Sequence, residues 1–435
     1  RWWFVTGVQT CALPISKVIF FSDHDLALKL LDIADVIAEI PQLISYEKIP
    51  LKGLGRVKYF KKLIDEVEVG QDEQAGLIKT ALKIKPDDVA TIIYTSGTTG
   101  HFKGVQLTHR NFIFDLTSVL KYVGVTSEDR FFSILPLSHV FERTVGYYIP
   151  LYCGASIGYA TDLTKISEEI RERKPTIVIA VPRLFEKIYE KIINKVNASP
   201  IKKIIFKLAF SLQDKSKNKK LQELADKLVF AKIRSEFGGE IRFFVSGGAA
   251  LSPKLGKFFH QVGMIILEGY GLTETAPVVA CNRLEDFSFG TVGPVLEGVK
   301  VKIGESGEVL IKGGNVTPGY LRANDTKEGF TKDGWFKSGD FGYFDKKGFL
   351  VISGRKKDLI VLSTGKKVSP TIIEECLEGS LYIEQAYVFG DGRKHIGAVI
   401  VPIFDKILEN YSGKNHTLRK NDWVKQFLAD EISRA

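Results

Sequence analysis

The chain of 435 residues is poor in the residues that carry metal, redox and disulfide chemistry: four cysteines, seven histidines and one methionine, Met264. With Cys11 set aside for the reason given below, Cys153, Cys281 and Cys376 stand far apart, with no Cys-x-x-Cys pair and no histidine at metal-ligand spacing. That excludes a disulfide framework and a structural zinc site, and it fits a reducing compartment. No apolar run reaches the ~18 residues that would mark a membrane-spanning helix. Gly-x4-Gly-Lys-Ser/Thr is also missing, which argues against P-loop kinases and GTPases. Internal repeats and low-complexity tracts are absent too. A hydrophobic fraction of 44% and a charged fraction of 26% are ordinary for a folded globular chain, and its length allows two or more domains with sizeable cores.

An initiator methionine is missing as well, so the sequence reads as a gene fragment. Its opening could pass for a secretory signal, but no compact basic segment precedes the apolar stretch. Residues 5–16 instead look like the conceptual translation of a common short-read sequencing adapter, and residues 1–16 are set aside as an artefact.

What the chain has in excess is positive charge, a net +10. Residues 199–236 hold most of it, with ten Lys or Arg against four Asp or Glu. Ile204, Ile205, Leu208, Leu212, Leu221, Leu224 and Leu228 recur there at helical spacing, which predicts a pair of basic amphipathic helices. A solvated helix face explains such a segment; contact with an anionic membrane surface, from which a lipid could be collected, is the sharper reading.

Apolar β-rich runs at residues 17–21, 89–94, 177–181, 241–245 and 264–268 alternate with helical patterns, which predicts layered parallel-sheet α/β structure over residues 17–289. The run at 89–94 reads as a buried strand, and Thr108 as the N-cap of a helix carrying Phe112, Leu116 and Val119. From 290 to 354, short strands broken by glycine turns predict a small β-barrel or sheet, completing a large domain of residues 17–354. A hinge is expected at residues 355–358, followed by a small α+β C-terminal domain over 359–435 with a helix near 369–378 and strands at 384–389 and 397–402.

The most informative string is Tyr94-Thr95-Ser96-Gly97-Thr98-Thr99-Gly100-His101-Phe102-Lys103-Gly104. Glycines let backbone N–H groups approach an anion, hydroxyls add donors, and Lys103 brings a mobile cation, so the string suits phosphate binding. A flexible Ser/Thr/Gly turn is the plain alternative. Gly269-Tyr270-Gly271-Leu272-Thr273-Glu274-Thr275 pairs an aromatic ring with an acid, a sensible nucleotide clamp in which Glu274 offers hard oxygens to Mg²⁺; otherwise it is a turn with an exposed acid. Ser246-Gly247-Gly248-Ala249-Ala250 ends another strand in small residues, admitting either a flat ligand or only a tight strand-to-helix turn.

In this order the motifs resemble the acyl-adenylate-forming family, which includes the acyl-CoA synthetases, and the strings 135–143, 181–187 and 228–234 resemble its long-chain fatty acyl-CoA synthetases. The resemblance implies ATP and Mg²⁺ as cofactors, coenzyme A as co-substrate and a fatty acid as substrate, with no nucleic-acid partner. It places Thr95, Ser96, Gly97, Thr98, Thr99, Gly100 and Lys103 on the phosphates, Tyr270 on adenine, and Thr273 or Thr275 near the phosphates. Gly248 and Ala249 would line the adenine and acyl pockets, Gly269 and Gly271 would bind the nucleotide beside Tyr270, Glu274 would hold the metal, and His139 would lie beside the acyl carboxylate. Asp340 would accept both ribose hydroxyls with Arg355 beside it, although an Asx turn also explains Asp340. Lys357 would sit at the hinge about which the family's small domain rotates, and Gly365, Lys366 and Lys367 would meet coenzyme A; a solvated charge run is the alternative for the lysines.

Lys103, His139, Glu274 and Thr275 are the implied catalytic group. A carboxylate oxygen would attack the α-phosphorus of ATP, expelling pyrophosphate, after which the CoA thiolate would displace AMP. Two departures stand out. Where some long-chain relatives carry an aromatic gate four residues after the histidine, this chain has Arg143. The family's opening α/β unit and its late catalytic lysine are not found between Lys17 and Ala435, so both ends read as truncated and the fragment itself is expected to adenylate poorly. A fatty acyl-AMP ligase, another carboxylic acid–CoA ligase and a non-catalytic nucleotide or acyl binder are the competing readings. The expected location is cytoplasmic, with peripheral contact at the inner face of the membrane through residues 199–236.

Overall fold

The computed structural model describes residues 17–38, 40–49, 57–68, 70–96, 102–162, 164–215, 218–378, 380, 382–408 and 422–434. The adapter-like residues 1–16 lie outside them. The chain divides into two compact units, one of residues 1–109 with Tyr320–Asp325 and one of Arg110–Gly319 with Thr326–Ala435. The hinge expected at 355–358 therefore falls inside the second unit.

In the first unit, β1 (Val18–Phe21), β2 (Gln42–Ser45) and β3 (Val57–Tyr59) form a parallel sheet in that order. The helix His24–Leu31 crosses after β1. Its start is fixed by Asp23, whose carboxylate accepts from the Leu26 N–H at 2.9 Å, and it buries Ala27 and Leu30 against Phe21, Ile37, Ile40 and Leu43.

The run at 89–94 belongs to a different arrangement from the one its apolar pattern predicts. β4 (Val89–Ser96) and β5 (Phe102–Thr108) form an antiparallel hairpin in which Thr95 lies opposite Lys103 and Ser96 opposite Phe102. β5 is the middle strand of a three-stranded sheet and β4 its edge. Burial follows position: Val105 and Leu107 are sealed, whereas Val89 is 45% exposed. A strand flanked on both sides loses solvent that an edge strand keeps. The helix His109–Leu120 starts directly after Thr108.

The second unit is organised by a six-stranded sheet of β6 (Arg130–Ser133), β7 (Ser156–Tyr159), β8 (Ile177–Ala180), β9 (Phe243–Ser246), β10 (Ile266–Gly271) and β11 (Val278–Cys281). Its order is β11-β10-β9-β8-β6-β7, and every pair is parallel except β10–β11. Parallel strands are covered on both faces, so β8 reads as an unbroken apolar run and all four of its residues are buried. The core beneath it gathers Phe185 and Phe259 around Phe244, with the Phe185 and Phe244 rings 5.5 Å apart and edge to face.

Next come β12 (Lys300–Ile303), β13 (Glu308–Lys312), β14 (Phe336–Phe344) and β15 (Leu350–Arg355), an antiparallel sheet in chain order. Its linear order makes it an open sheet, since β12 and β15 do not pair among the described residues. The C-terminal part holds a small hairpin, β16 (Ile360–Val361) with β17 (Lys367–Val368). There follow the helix Pro370–Glu378 and the antiparallel pair β18 (Ile383–Phe389) and β19 (Gly397–Pro402), close to the elements expected there. Ile360, Leu377, Ile383 and Val388 seal this small core.

Phe244 is fully buried at the centre of the parallel sheet. Phe244→Ala is expected to cost about 3–5 kcal/mol of unfolding free energy, read as a lower urea midpoint with an unchanged slope.

Candidate functional site

The best-defined constellation of the second unit forms where the end of β10 meets the middle of β14. Asp340 on β14 is buried, with 3% of its surface exposed. Its Oδ2 accepts from the Tyr270 hydroxyl at 2.7 Å, and its Oδ1 lies 3.3 Å from Arg355 Nε. The pairing of β14 with β15 puts Asp340 directly opposite Arg355, so strand register brings acid and guanidinium together. Burial pushes the Asp340 carboxyl above its ordinary value, while the Tyr270 hydroxyl and Arg355 pull it back. The same burial, with Asp340 alongside, drives the Tyr270 hydroxyl well above its usual range and keeps it a donor. Lys357 adds favourable charge from the short turn Lys356–Asp358.

The stretch of β14 before Asp340 is held as firmly. Ser338 donates to the Val309 carbonyl at 2.7 Å and accepts from the Asp340 N–H at 3.0 Å. Glu308 accepts from the Gly339 N–H at 3.1 Å and lies 3.1 Å from Lys356 Nζ. Gly339 has a φ of 73°, which glycine adopts without strain. Ser338 and Glu308 were not singled out from the sequence; a serine two residues before a buried acid is the signal that was there to use.

β10 runs on into a tight turn at Thr273–Thr275. A Cβ on Gly271 would overlap the Pro277 carbonyl, so glycine is required where β10 meets the turn. Thr273 and Glu274 are half-buried, and the Glu274 carbonyl accepts from the Thr317 N–H at 2.7 Å. Thr275 is completely buried, and its hydroxyl closes the turn by accepting from the Leu272 N–H at 2.9 Å and donating to the Pro277 carbonyl.

Beneath the turn lies a polar layer that sequence patterning did not reveal. Thr144 donates to the Ala276 carbonyl at 3.0 Å, Asn315 to the Val278 carbonyl at 2.7 Å, and Asp115 accepts from the Val278 N–H at 3.1 Å. Burial raises the Asp115 pKa well above its ordinary value, and the Val278 N–H offsets this in part.

At the end of β9, Gly248 has a φ of 82°, and Gly247 leaves room for the Phe141 ring, which a Cβ there would strike at 2.9 Å. Gly248 and Ala249 are exposed. His139 is also exposed, in a turn where its N–H donates to Pro136 and its carbonyl accepts from Arg143 N–H, both at 3.0 Å. Arg143 turns its guanidinium back to the Leu137 carbonyl at 3.0 Å. In the C-terminal part, Lys366 and Lys367 line a pocket of about 360 Å³ with Lys394 and His395, beside the glycine turn at Gly365, whose φ is 80°.

In the first unit, Gly97, Thr98, Thr99 and Gly100 lie outside the described residues, and only the backbone of Ser96 is described. Thr95 and Lys103 face each other across the hairpin. Lys103 is less mobile than its place near a glycine loop suggests. Its side chain is 14% exposed, with Nζ 3.7 Å from Asp325 and 5.5 Å from the centre of the Tyr320 ring.

These features define a class before any closer relation. The sequence profile of AMP-binding enzymes matches residues 17–321, and that of the AMP-binding enzyme C-terminal domain matches residues 357–424. The chain belongs to the AMP-binding enzyme family. Within it, the chain is similar to long-chain-fatty-acid–CoA ligase FadD15 of Mycobacterium bovis, at 35% identity over 415 residues, covering 92% of this chain and 67% of that protein. It is 34% identical to long-chain-fatty-acid–CoA ligase 5 of Mus musculus over 86% of this chain and 58% of that one. Its fold matches the crystal structure of a benzoate CoA ligase from Burkholderia xenovorans LB400, with a TM-score of 0.68 at 20% identity over 99% of this chain and 75% of the other.

A further group follows His139 by one helical turn. Glu142 is fully buried at the start of the π-helical segment Glu142–Tyr148, and neither carboxyl oxygen has a hydrogen bond of full geometry. Burial pushes its pKa from 4.5 up to about 7, and the nearby Ser133 hydroxyl offsets this only in part. A raised folded-state value stabilises the fold below the unfolded pKa and loses that stability as pH rises through the folded one. At about 1.4 kcal/mol per unit, the loss between pH 4 and pH 8 is about 3 kcal/mol. Glu142→Gln removes this dependence, so denaturant titrations should show the variant gaining about that much on the wild type across the interval. Gly271→Ala is expected to lower stability by about 2–4 kcal/mol, seen as a lower thermal midpoint.

Proposed function

We propose that this chain uses ATP to activate a long-chain fatty acid as its acyl-adenylate and then transfers the acyl group to coenzyme A, releasing AMP. The observation that carries the reading is the buried Tyr270–Asp340–Arg355 constellation, at the positions the family assigns to adenosine. A carboxylate at this position suits two adjacent ribose hydroxyls, and Arg355 beside it offsets part of the burial that raises its pKa. Family membership supports the adenylating half of the reaction, and the long-chain ligases among the relatives support the acyl substrate.

In this reading the fatty carboxylate oxygen bonds to the α-phosphorus while the bond to pyrophosphate breaks. The thiolate sulfur of coenzyme A then bonds to the acyl carbon and the bond to AMP breaks. Exposed His139, ahead of buried Glu142, is assigned to the acyl carboxylate. Lys103 is assigned to the polyphosphate; of Thr273 and Thr275, half-buried Thr273 is assigned to phosphate, because the Thr275 hydroxyl is sealed in the turn. The described residues contain no cluster of three or more metal-ligating side chains. Half-buried Glu274 offers Mg²⁺ a hard oxygen ligand, and bound there the ion would neutralise phosphate charge. Lys366 and Lys367, with Lys394 and His395 in the basic pocket, are assigned to the phosphates of coenzyme A.

The test follows AMP release from ATP with palmitate, with and without coenzyme A. The expected result is release that depends on both acid and thiol; release independent of coenzyme A would favour another acceptor, and none at all would favour a binding role. Asp340→Ala should raise the KM for ATP by about 30-fold or more, through loss of charge-assisted hydrogen bonds. It should leave the thermal midpoint in the absence of nucleotide within a few degrees of wild type.

A further inference from the structure

Two consecutive helical segments of the second unit carry apolar surface on the side that packing leaves open. The helix Pro200–Lys215 buries Phe206 and Ala209, and packs Phe210 against Phe230 and Phe258 at ring distances of 5.8 and 5.5 Å. Its other side is also apolar. Ile201, Ile204, Ile205 and Leu208 fall at i, i+3, i+4 and i+7, a single helical stripe, and are 69%, 59%, 48% and 60% exposed.

The next segment repeats the pattern. Lys219–Ala225, continued by Asp226–Phe230, buries Ala225 and Phe230 and leaves Leu221, Leu224 and Leu228 at i, i+3 and i+7, exposed by 40%, 53% and 54%. A helix whose core-facing side is already complete has no folding reason for a second stripe of branched aliphatics in water.

Charge says what covers it. Lys202, Lys207, Lys219, Lys220 and Lys227 are exposed among these leucines and isoleucines, with Glu223 as the exposed acid between them. Asp226 is occupied inside the unit by a two-pronged pair with Arg234 at 2.7 Å. Aliphatic side chains flanked by long cationic ones match the acyl boundary and anionic headgroups of a bilayer, with the lysine stems lying along the apolar surface.

We propose that the stripes on Pro200–Lys215 and Lys219–Ala225 form a docking surface that seats this protein on an anionic lipid bilayer. The inference does not depend on the ligase reading, because binding to lipid needs no turnover. No described helix is long and apolar enough to cross a membrane, so the contact is peripheral.

The experiment is co-sedimentation of the full chain, without ATP or fatty acid, with vesicles of phosphatidylcholine alone or mixed with phosphatidylglycerol. Binding should be confined to the phosphatidylglycerol vesicles and fall at least about tenfold when salt is raised from about 0.1 to about 0.5 M. Leu208→Asp with Leu224→Asp should abolish it. In a second variant, Lys202→Glu with Lys207→Glu should weaken it by about fivefold or more per lysine. Thermal midpoints close to wild type would show that both variants fold. The proposal is overturned if neutral and anionic vesicles bind alike or neither binds, or if the folded variants bind as well as wild type. It is also overturned if light scattering finds a dimer that the leucine substitutions split, which would assign the surface to a second copy of the chain.

Discussion

A carboxylate 3% exposed to solvent can stay charged only if something replaces its lost water, and at Asp340 the replacement is a phenol and a guanidinium delivered by two strands. This one requirement organises much of the second unit. Arg355 must lie opposite on β15, which fixes the register of β14 against β15. Tyr270 must arrive at the end of β10, which ties the parallel sheet to the antiparallel one. Ser338 and Glu308 then hold the stretch of β14 that leads into the carboxylate. Removing either partner alone would leave an uncompensated buried charge, which is why such groups act as a set.

The turn after β10 shows a second constraint of the same kind. β11 runs antiparallel to β10, so the chain must reverse within a few residues, and the backbone groups freed by the reversal are buried. Thr144, Asp115 and Asn315 satisfy them from elements distant in sequence. Thr275 satisfies the turn from within. The result is a turn whose buried polar groups are paired, with Tyr270 before it and Glu274 within it.

Much of this was legible in the chain itself. The continuous apolar run of β8 announced a strand, and the glycine-punctuated runs after residue 290 announced a small β-barrel or sheet, which is an open antiparallel sheet. β6 and β7 were harder to see because each is four residues long, one opening on Arg130 and the other containing Gly158, so neither carries a periodic signal. The strand at 89–94 was seen but misplaced, because an apolar run does not tell an edge strand of a hairpin from a buried parallel strand. Leu208 and Leu224 illustrate the same limit: helical spacing identifies a stripe, and only packing shows that Phe206 and Phe230 already fill the core side.

Residue types and order by themselves pointed to the alternating α/β layout and to a Ser/Thr/Gly string suited to phosphate, while the resemblance to a family grouped Tyr270, Glu274, Asp340 and Arg355. These depend on local chemistry, which a linear string carries. Tertiary structure alone decided that Asp340 is buried between Tyr270 and Arg355, that Lys103 is held by Asp325, and that Asp115 is a buried carboxyl beneath a turn. Burial and charge pairing between residues far apart in sequence arise only once strands are in register, because desolvation is a property of the packed whole.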